Sequence, residues 1–482
     1  MKRRPFFVLG LTGLGLLVLY AVAFLIPYNA YIWAPQGNPA DIGLLSGYSW
    51  VAFLGYVLAV SLLYFCYFKA WRTVGQVACP RKAFQLIFGV GILGALLLVQ
   101  VYPYAAVDVF LYIVRGRVLG IYGGNPLSTP PNVYPLKPYL PFHSEWASVP
   151  SPYGPLWEWI AAGLARLGNG SLLRSLLVFK AFSLLCYLGC LIVLALLLRE
   201  RAPQEALPGF LLFAWNPLVL LEPHAMGHND LLMVFFVLLG LLAWQRARYP
   251  WAIVALMLGV LVKYVPLLLF PPLLVLMWRR LERPHFWRVL FQGGALSIAL
   301  LLLVFGPLWT GWSHLGLFGQ MQRGHHSVFV WLFFLLSKFF SLWTSFRLCI
   351  WSLRLAFLVS YVLILLWAWH RQPSLARVFF WVLYSALVFL MTSFGYWYVS
   401  WLVALLPLIP RARERALGIA FSWTGLMSVA LYTFIGSWLS GLIKMGDFLL
   451  GAVPLVFGPP LLFAWCVENG VFDKYLQGSS SS

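Results

Sequence analysis

A chain of 482 residues that is 62% hydrophobic and only 10% charged cannot be an ordinary water-soluble domain, in which about a quarter of the residues carry charge. Its net charge of +20, from 33 basic against 13 acidic residues, would suit nucleic acid if it formed one patch. The basic residues instead fall in short clusters between apolar runs, the positive-inside pattern of a polytopic protein in a lipid bilayer, so a nucleic-acid partner is excluded.

Lys2-Arg3-Arg4 ahead of Phe6 to Pro27 reads as a first span with a cytoplasmic N-terminus, because no small-residue cleavage pattern of a signal peptide follows it. A basic stretch from Lys69 to Lys82 precedes the apolar run Phe84 to Val101, and the next basic-flanked span is Leu172 to Leu198. The chain must leave and return between them, which makes residues 104–171 one long extracytoplasmic loop.

Asp108 opens that loop, in a chain with few acidic residues. On a helix, Asp108, Tyr112 and Arg115 stand at i, i+4 and i+7 and share one face. A carboxylate at the membrane surface suits a general base that takes the proton of an attacking hydroxyl. The structural alternatives are a helix N-terminal Asp stabilised by the dipole, or an ion pair with Arg115. Arg117 and the turn Gly123-Gly124-Asn125-Pro126 come next, followed by a proline- and aromatic-rich stretch with His143, Glu145 and Trp146 that could line a sugar site. The sequence Ser151-Pro152-Tyr153-Gly154-Pro155 then opens an apolar helix of ~13 residues, too short to span and expected at the interface.

A second polar cluster runs from Glu222 to Asp230 after Trp215-Asn216-Pro217. His224 and His228 lie at i, i+4 with Asp230 beside them, which raises a metal site. Zinc takes three or four closed ligands and no third histidine has suitable spacing, so no metal is expected. Hydrogen bonding of His224, His228, Asn229 and Asp230 to a sugar or phosphate is the functional expectation, and capping of the next helix by Asn229 or Asp230 is the structural one.

The apolar stretches Trp251 to Met277 and Phe379 to Leu408 carry basic clusters at both ends, so each is predicted to be a hairpin. The arms of the first would hold only ~12 residues, about 18 Å against a core of ~30 Å. A single tilted crossing is the alternative, and it would put Arg279, Arg280 and Arg283 outside. With hairpins the expected architecture is an all-α bundle of roughly 14 transmembrane segments, some short or broken, with both termini cytoplasmic. Lys263 sits at the apex of the first hairpin. A lone lysine in a span costs about 2.5–3.5 kcal/mol on insertion scales, so it needs either a partner such as a lipid phosphate or a snorkelling path to the headgroups. A third loop brings Arg323, His325 and His326 to the side of Asp108, where Arg323 with one of the histidines could neutralise a departing phosphate. Ordinary loop polarity is the alternative there.

The six cysteines lie mostly in or beside apolar runs and imply neither a disulfide nor zinc. No phosphate-binding glycine loop or dinucleotide fingerprint is present, which argues against a nucleotide-activated donor. Residues 1–476 form one expected transmembrane domain, and 477–482, ending in four serines, read as a flexible tail or vector-derived remnant.

Several of these pieces, in order, resemble the bacterial polyprenol-phosphate-mannose-dependent mannosyltransferases of the GT-C superfamily, including the α-1,6-mannopyranosyltransferases of cell-envelope glycans. They are Asp108 to Arg117 with Gly124-Asn125-Pro126, Tyr153-Gly154-Pro155-Leu156, Asn216-Pro217-Leu218, Gly227-His228-Asn229-Asp230, and Lys263 ahead of its prolines. Together they span the first two-thirds of the chain, while the last third matches only in hydropathy. The resemblance implies a GT-C-like fold in the bacterial cytoplasmic membrane with an essential aspartate, here Asp108, in the first large external loop. It also implies inverting transfer of a sugar, mannose by the resemblance, from a polyprenyl-phosphate donor to a glycan or glycolipid acceptor on the extracytoplasmic side. Lys263, Arg323, His325 and His326 would then face the donor phosphate, and Tyr112, Arg115, Arg117, Asn125, Tyr153, His224, His228, Asn229 and Asp230 the substrates. Many relatives carry a second acidic residue next to the aspartate, whereas Val107 and Val109 flank it here, which speaks against a metal-dependent version, so no cofactor is expected. Two other classes fit the hydropathy. A lipid-linked sugar flippase would show internal repeats and midplane charges, and no clear repeat is present. An O-antigen ligase or polymerase would use a diphosphate donor and lean on loop arginines and histidines rather than on an aspartate.

Overall fold

Backbone amides find no partner in lipid, so an apolar run that crosses a bilayer does so as a helix or as part of a closed barrel. This chain takes the helical solution: the described residues hold no β-strand, only isolated bridges. The computed structural model describes residues 4–311 and 325–471. Arg323 and the 477–482 tail lie outside the described residues. The chain is an all-α polytopic membrane protein, with eight helices long and apolar enough to cross a membrane among the described residues.

A bent pair, Pro203–Ala214 with Pro217–Met226, is apolar and long enough together to count as a ninth, with a break of 48° between its halves. Proline at 217 cannot donate into the preceding turn, and Asn216 caps the new helix by accepting from the amides of Leu218 and Val219. Four shorter apolar helices follow the same plan, Asp230–Gln245, Tyr249–Val262, Leu375–Leu390 and Tyr396–Leu408. With the arm formed by Val265–Leu269 and Phe270–Arg280, these elements make fourteen apolar segments among the described residues.

Both expected hairpins are present, and the contacts at their feet show it. The Arg280 guanidinium lies 5.4 Å over the ring of Trp244, next to Arg246 and Arg248 at the other foot, so the stretch returns to the side it left. A single tilted crossing would separate those ends by the thickness of the bilayer. At the second hairpin Arg377 Nε meets Glu414 Oε1 at 2.5 Å, which closes the two feet directly. Arg201 donates to the carbonyls of Pro407 and Leu408 at 3.1 and 3.0 Å, which places the Arg199–Arg201 turn at the same end.

Residues 104–171 hold two short helices, Asp108–Gly120 and Pro155–Gly168, joined by irregular chain with short 3-10 turns. The pair packs backbone to backbone. A Cβ at Gly116 would stand 2.3 Å from the carbonyl oxygen of Ala161, and one at Gly120 2.5 Å from that of Ala162. This is the small-residue contact that lets helices approach closely where lipid supplies no hydrophobic drive. The effect is to lay the Asp108 helix on the Pro155 helix, with Tyr153, just ahead of the second, within hydrogen-bond reach of Asp108 and Tyr112 on the first.

Candidate active site

Asp108 is the first residue of its helix, where the dipole favours a negative charge. It is half-buried, and its Oδ1 accepts a hydrogen bond from the Tyr153 hydroxyl at 3.2 Å. That hydroxyl lies 3.2 Å from the Tyr112 hydroxyl, which donates to Asn229 Oδ1 at 3.4 Å. The helical spacing of Asp108 and Tyr112 therefore does bring both to one face, with Tyr153 closing the triangle from the other short helix. Burial raises the Asp108 pKa above the ordinary carboxylate value. The nearby Lys263 charge and the Tyr153 hydrogen bond pull against that rise, Asp230 adds to it, and Arg115 opposes it.

Arg115 turns away from this carboxylate and donates to the Trp146 and Val149 carbonyls at 3.1 and 3.5 Å. The ion-pair alternative for Asp108 is thus replaced by a phenol contact. Arg117 and Asn125 serve the loop: Arg117 donates to Asn169 at 2.7 Å and stacks 3.9 Å over Tyr139. Asn125 donates to the Leu308 carbonyl at 2.7 Å.

A second group of charges faces Asp108 from distant parts of the chain. Lys263 ends its helix at the hairpin apex and reaches Asp230 Oδ1 at 2.7 Å, and Trp401 Nε1 donates to the same oxygen at 2.6 Å. The ammonium lies 5.5 Å from the Tyr153 ring, 5.4 Å from Tyr398 and 5.9 Å from Trp401. Lys263 is therefore buried and paired, and the snorkelling alternative does not hold. Asn229 makes no side-chain cap of the helix that Asp230 begins, so the capping alternative does not hold for it either.

Gly227, at φ +82°, turns the chain from the bent pair into that helix, a backbone conformation that L side chains rarely adopt. Its turn sets His228 against Trp397, with ring centroids 4.0 Å apart. His228 Nε2 stands 3.4 Å from Glu222 Oε2 without hydrogen-bond geometry. Both ring nitrogens of His228, Asn229 Nδ2, Asp230 Oδ2 and Glu222 Oε2 are buried with no protein hydrogen-bond partner. Buried polar atoms are normally paired, so these side chains are candidates to bind a ligand rich in donors and acceptors. His224 is set apart, its Nδ1 on the Leu220 carbonyl at 2.8 Å and its ring against Tyr187.

His325 Nε2 is 3.9 Å from Glu145 Oε1, and its ring lies 6.4 Å from that of Trp146, whose carbonyl receives Arg115. His326 stacks on Tyr432 at 3.7 Å. Burial, with a smaller push from His325, lowers its pKa to about 4, so at neutral pH it offers a hydrogen bond and no positive charge. No group of three or more His, Cys, Asp or Glu with metal-holding geometry occurs among the described residues.

The sequence reading missed Trp397, Tyr398 and Trp401. Their signal was the dense aromatic run Tyr396-Trp397-Tyr398 near the apex of a predicted hairpin, the same position in its hairpin that Lys263 occupies. Glu158 was also missed. It is wholly buried in the first turn of the Pro155 helix, and a charged residue on an apolar helix was its only mark.

Residues 8–280 match a protein family described as alpha-(1->6)-mannopyranosyltransferase, N-terminal domain. A stretch of 146 residues is 33% identical to alpha-(1->6)-mannopyranosyltransferase B of Corynebacterium glutamicum, covering 29% of this chain and 23% of that relative. The match thus spans under a quarter of the relative's length, while the family match takes in more than half of this chain and every polar cluster from Asp108 to Lys263.

Proposed function

The chain belongs to the alpha-(1->6)-mannopyranosyltransferase family, and from that membership we propose that it moves a mannosyl unit from a polyprenyl-phosphate carrier to a hydroxyl of a glycan or glycolipid acceptor. The transfer is a single inverting displacement on the extracytoplasmic face of the bacterial cytoplasmic membrane. Asp108 accepts the acceptor's proton as that oxygen bonds to the sugar's anomeric carbon, and the bond from that carbon to the phosphate oxygen breaks. The polyprenyl phosphate leaves with the electron pair. Lys263, whose charge acts on Asp108, is the cation that meets the departing phosphate, with His325 and His326 on the donor side and Arg323, which lies outside the described residues, as a further donor-side candidate from the sequence. No step is routed through a cofactor.

The observation that carries this reading is the Asp108 carboxylate held by one phenol and electrostatically coupled to Lys263 and Asp230, beside buried polar atoms of His228, Asn229 and Asp230 that have no protein partner. A sugar, with a hydroxyl on nearly every carbon, supplies the missing partners. Tyr112, Tyr153, Trp397 and Tyr398 give it aromatic walls.

The test uses purified full-length protein, synthetic polyprenyl-phosphate-mannose and a mannoside or glycolipid acceptor. Wild type transfers mannose, and Asp108→Asn loses transfer by about 10²–10⁴-fold with its fold intact. Wild-type turnover in Asp108→Asn removes Asp108 from the mechanism and favours a diphosphate-donor ligase. A panel of other polyprenyl-phosphate sugars checks the donor, since glucose, galactose or arabinofuranose would meet the same chemistry.

A further inference from the structure

Glu158 has no part in the reaction above, yet it is buried to 0% exposure in a helix that is otherwise apolar on that side. Burying a carboxylate there is costly, and a residue kept only to fill space would be apolar. Its Oε1 accepts from the Ser151 hydroxyl at 2.5 Å, and its Oε2 has no protein partner. The contact closes the turn Ser151 to Glu158, which carries Tyr153.

The other fastenings of that turn fall on Tyr153 or on its neighbours. Ser151 Oγ, its own proton given to Glu158, accepts from the Tyr153 amide at 3.3 Å. The Ser151 amide donates to the Pro126 carbonyl at 2.8 Å, and the Gly154 amide to the Val262 carbonyl at 2.9 Å. Tyr264 donates to the Tyr153 carbonyl at 3.3 Å. The backbone of Tyr153 is thus held on both sides, and its phenol is left between the Asp108 carboxylate and the Tyr112 hydroxyl, 3.2 Å from each.

We propose that Glu158 is a positioning residue for the base: acting through the Ser151 hydroxyl, it fixes Tyr153 so that its phenol stays on Asp108. The inference rests on Asp108 being the base. Asp108 is faced by Lys263, Asp230, Arg115 and Tyr153, and it in turn raises the pKa of Tyr112 on its own helix. Glu158 is faced by Ser151 and Arg115 and by Tyr264. Burial pushes Glu158 up to about 7, with the Ser151 hydrogen bond and Arg115 pulling against it.

The readout is kcat/KM against pH for the full-length protein. The Tyr153 hydrogen bond lowers the Asp108 pKa, so losing it moves the acid limb to higher pH. Glu158→Ala is expected to show that move together with a fall in kcat of about tenfold or more and little change in KM. Glu158→Gln keeps an acceptor oxygen for Ser151 while removing the titration, and it is expected to hold the wild-type limb and rate to within about twofold. Tyr153→Phe should reproduce the limb of Glu158→Ala, and the two combined should move it no further. Ser151→Ala cuts the same link with a smaller change and carries the test if Glu158→Ala does not fold. A wild-type limb in Glu158→Ala or Ser151→Ala overturns the proposal, and so does Glu158→Gln behaving as Glu158→Ala. Continued turnover of Asp108→Asn is a separate failure, that of the base itself.

Discussion

The two walls of the candidate site, the one that carries Asp108 and the one that carries Lys263 and Asp230, are built in opposite ways. The wall that carries Asp108 comes from one stretch of chain, residues 104–171, and its key contacts join residues 41 or 45 positions apart. The wall that carries Lys263 and Asp230 is assembled from the turn after the bent pair and from the two hairpins, with Trp401 reaching Asp230 across 171 positions. The first wall holds a partly exposed carboxylate with a free oxygen to work with. The second is a buried ion pair wrapped in aromatic rings, in which each charge depends on the other. A base must meet solvent and substrate, whereas a desolvated pair holds only while both members are present.

That contrast predicts different failures on the two sides. The largest effect belongs to Asp108→Asn, which should cut transfer by about 10²–10⁴-fold while shifting thermal stability little, because the amide still accepts from Tyr153. Should the variant unfold instead, Asp108 belongs with the structural wall and the comparison fails. On the other wall Lys263→Met strands the buried Asp230 and is expected to cost about 3–5 kcal/mol of stability. Adding Asp230→Asn should recover most of it, and a double-mutant cycle in detergent measures the coupling. Additive losses would mean that the 2.7 Å contact is not what holds this wall. Trp401→Phe removes one donor to Asp230 and should cost roughly 1–3 kcal/mol, visible as a lower melting temperature.

The smallest effect is one of pH. Because burial raises the Asp108 pKa and only the ionised form accepts a proton, activity should fall on acidification at a pH above the ordinary carboxylate value of about 4. A limb at or below that value would show that the Asp108 wall is wetter than its geometry implies.

The sequence reading found the Asp108 wall because its signal is local. Helical spacing alone puts Asp108 and Tyr112 on one face, and a short apolar helix after Gly154-Pro155 cannot span. It found Lys263 for a related reason, since a lone charge in an apolar stretch demands a partner. It offered a lipid phosphate or the headgroups, and the fold supplies Asp230. Arg117 and Asn125 read as site residues from their neighbourhood in sequence, yet each makes a structural contact, Arg117 with Asn169 inside the loop and Asn125 with the Leu308 carbonyl at the end of a spanning helix. Polarity in a loop does not say which way a side chain faces.

Composition and hydropathy by themselves determined that the chain is a helical membrane protein with a long first loop, and they left each of the two hairpins open against a single tilted crossing. That follows because crossing lipid leaves the backbone few choices and basic residues mark the turns. Only the tertiary structure decided that the two hairpins bring Lys263 and Trp401 to the same carboxylate, and that Glu158 is fastened to the turn carrying Tyr153. Such pairings depend on how helices far apart in sequence pack, and neither spacing nor composition encodes that distance.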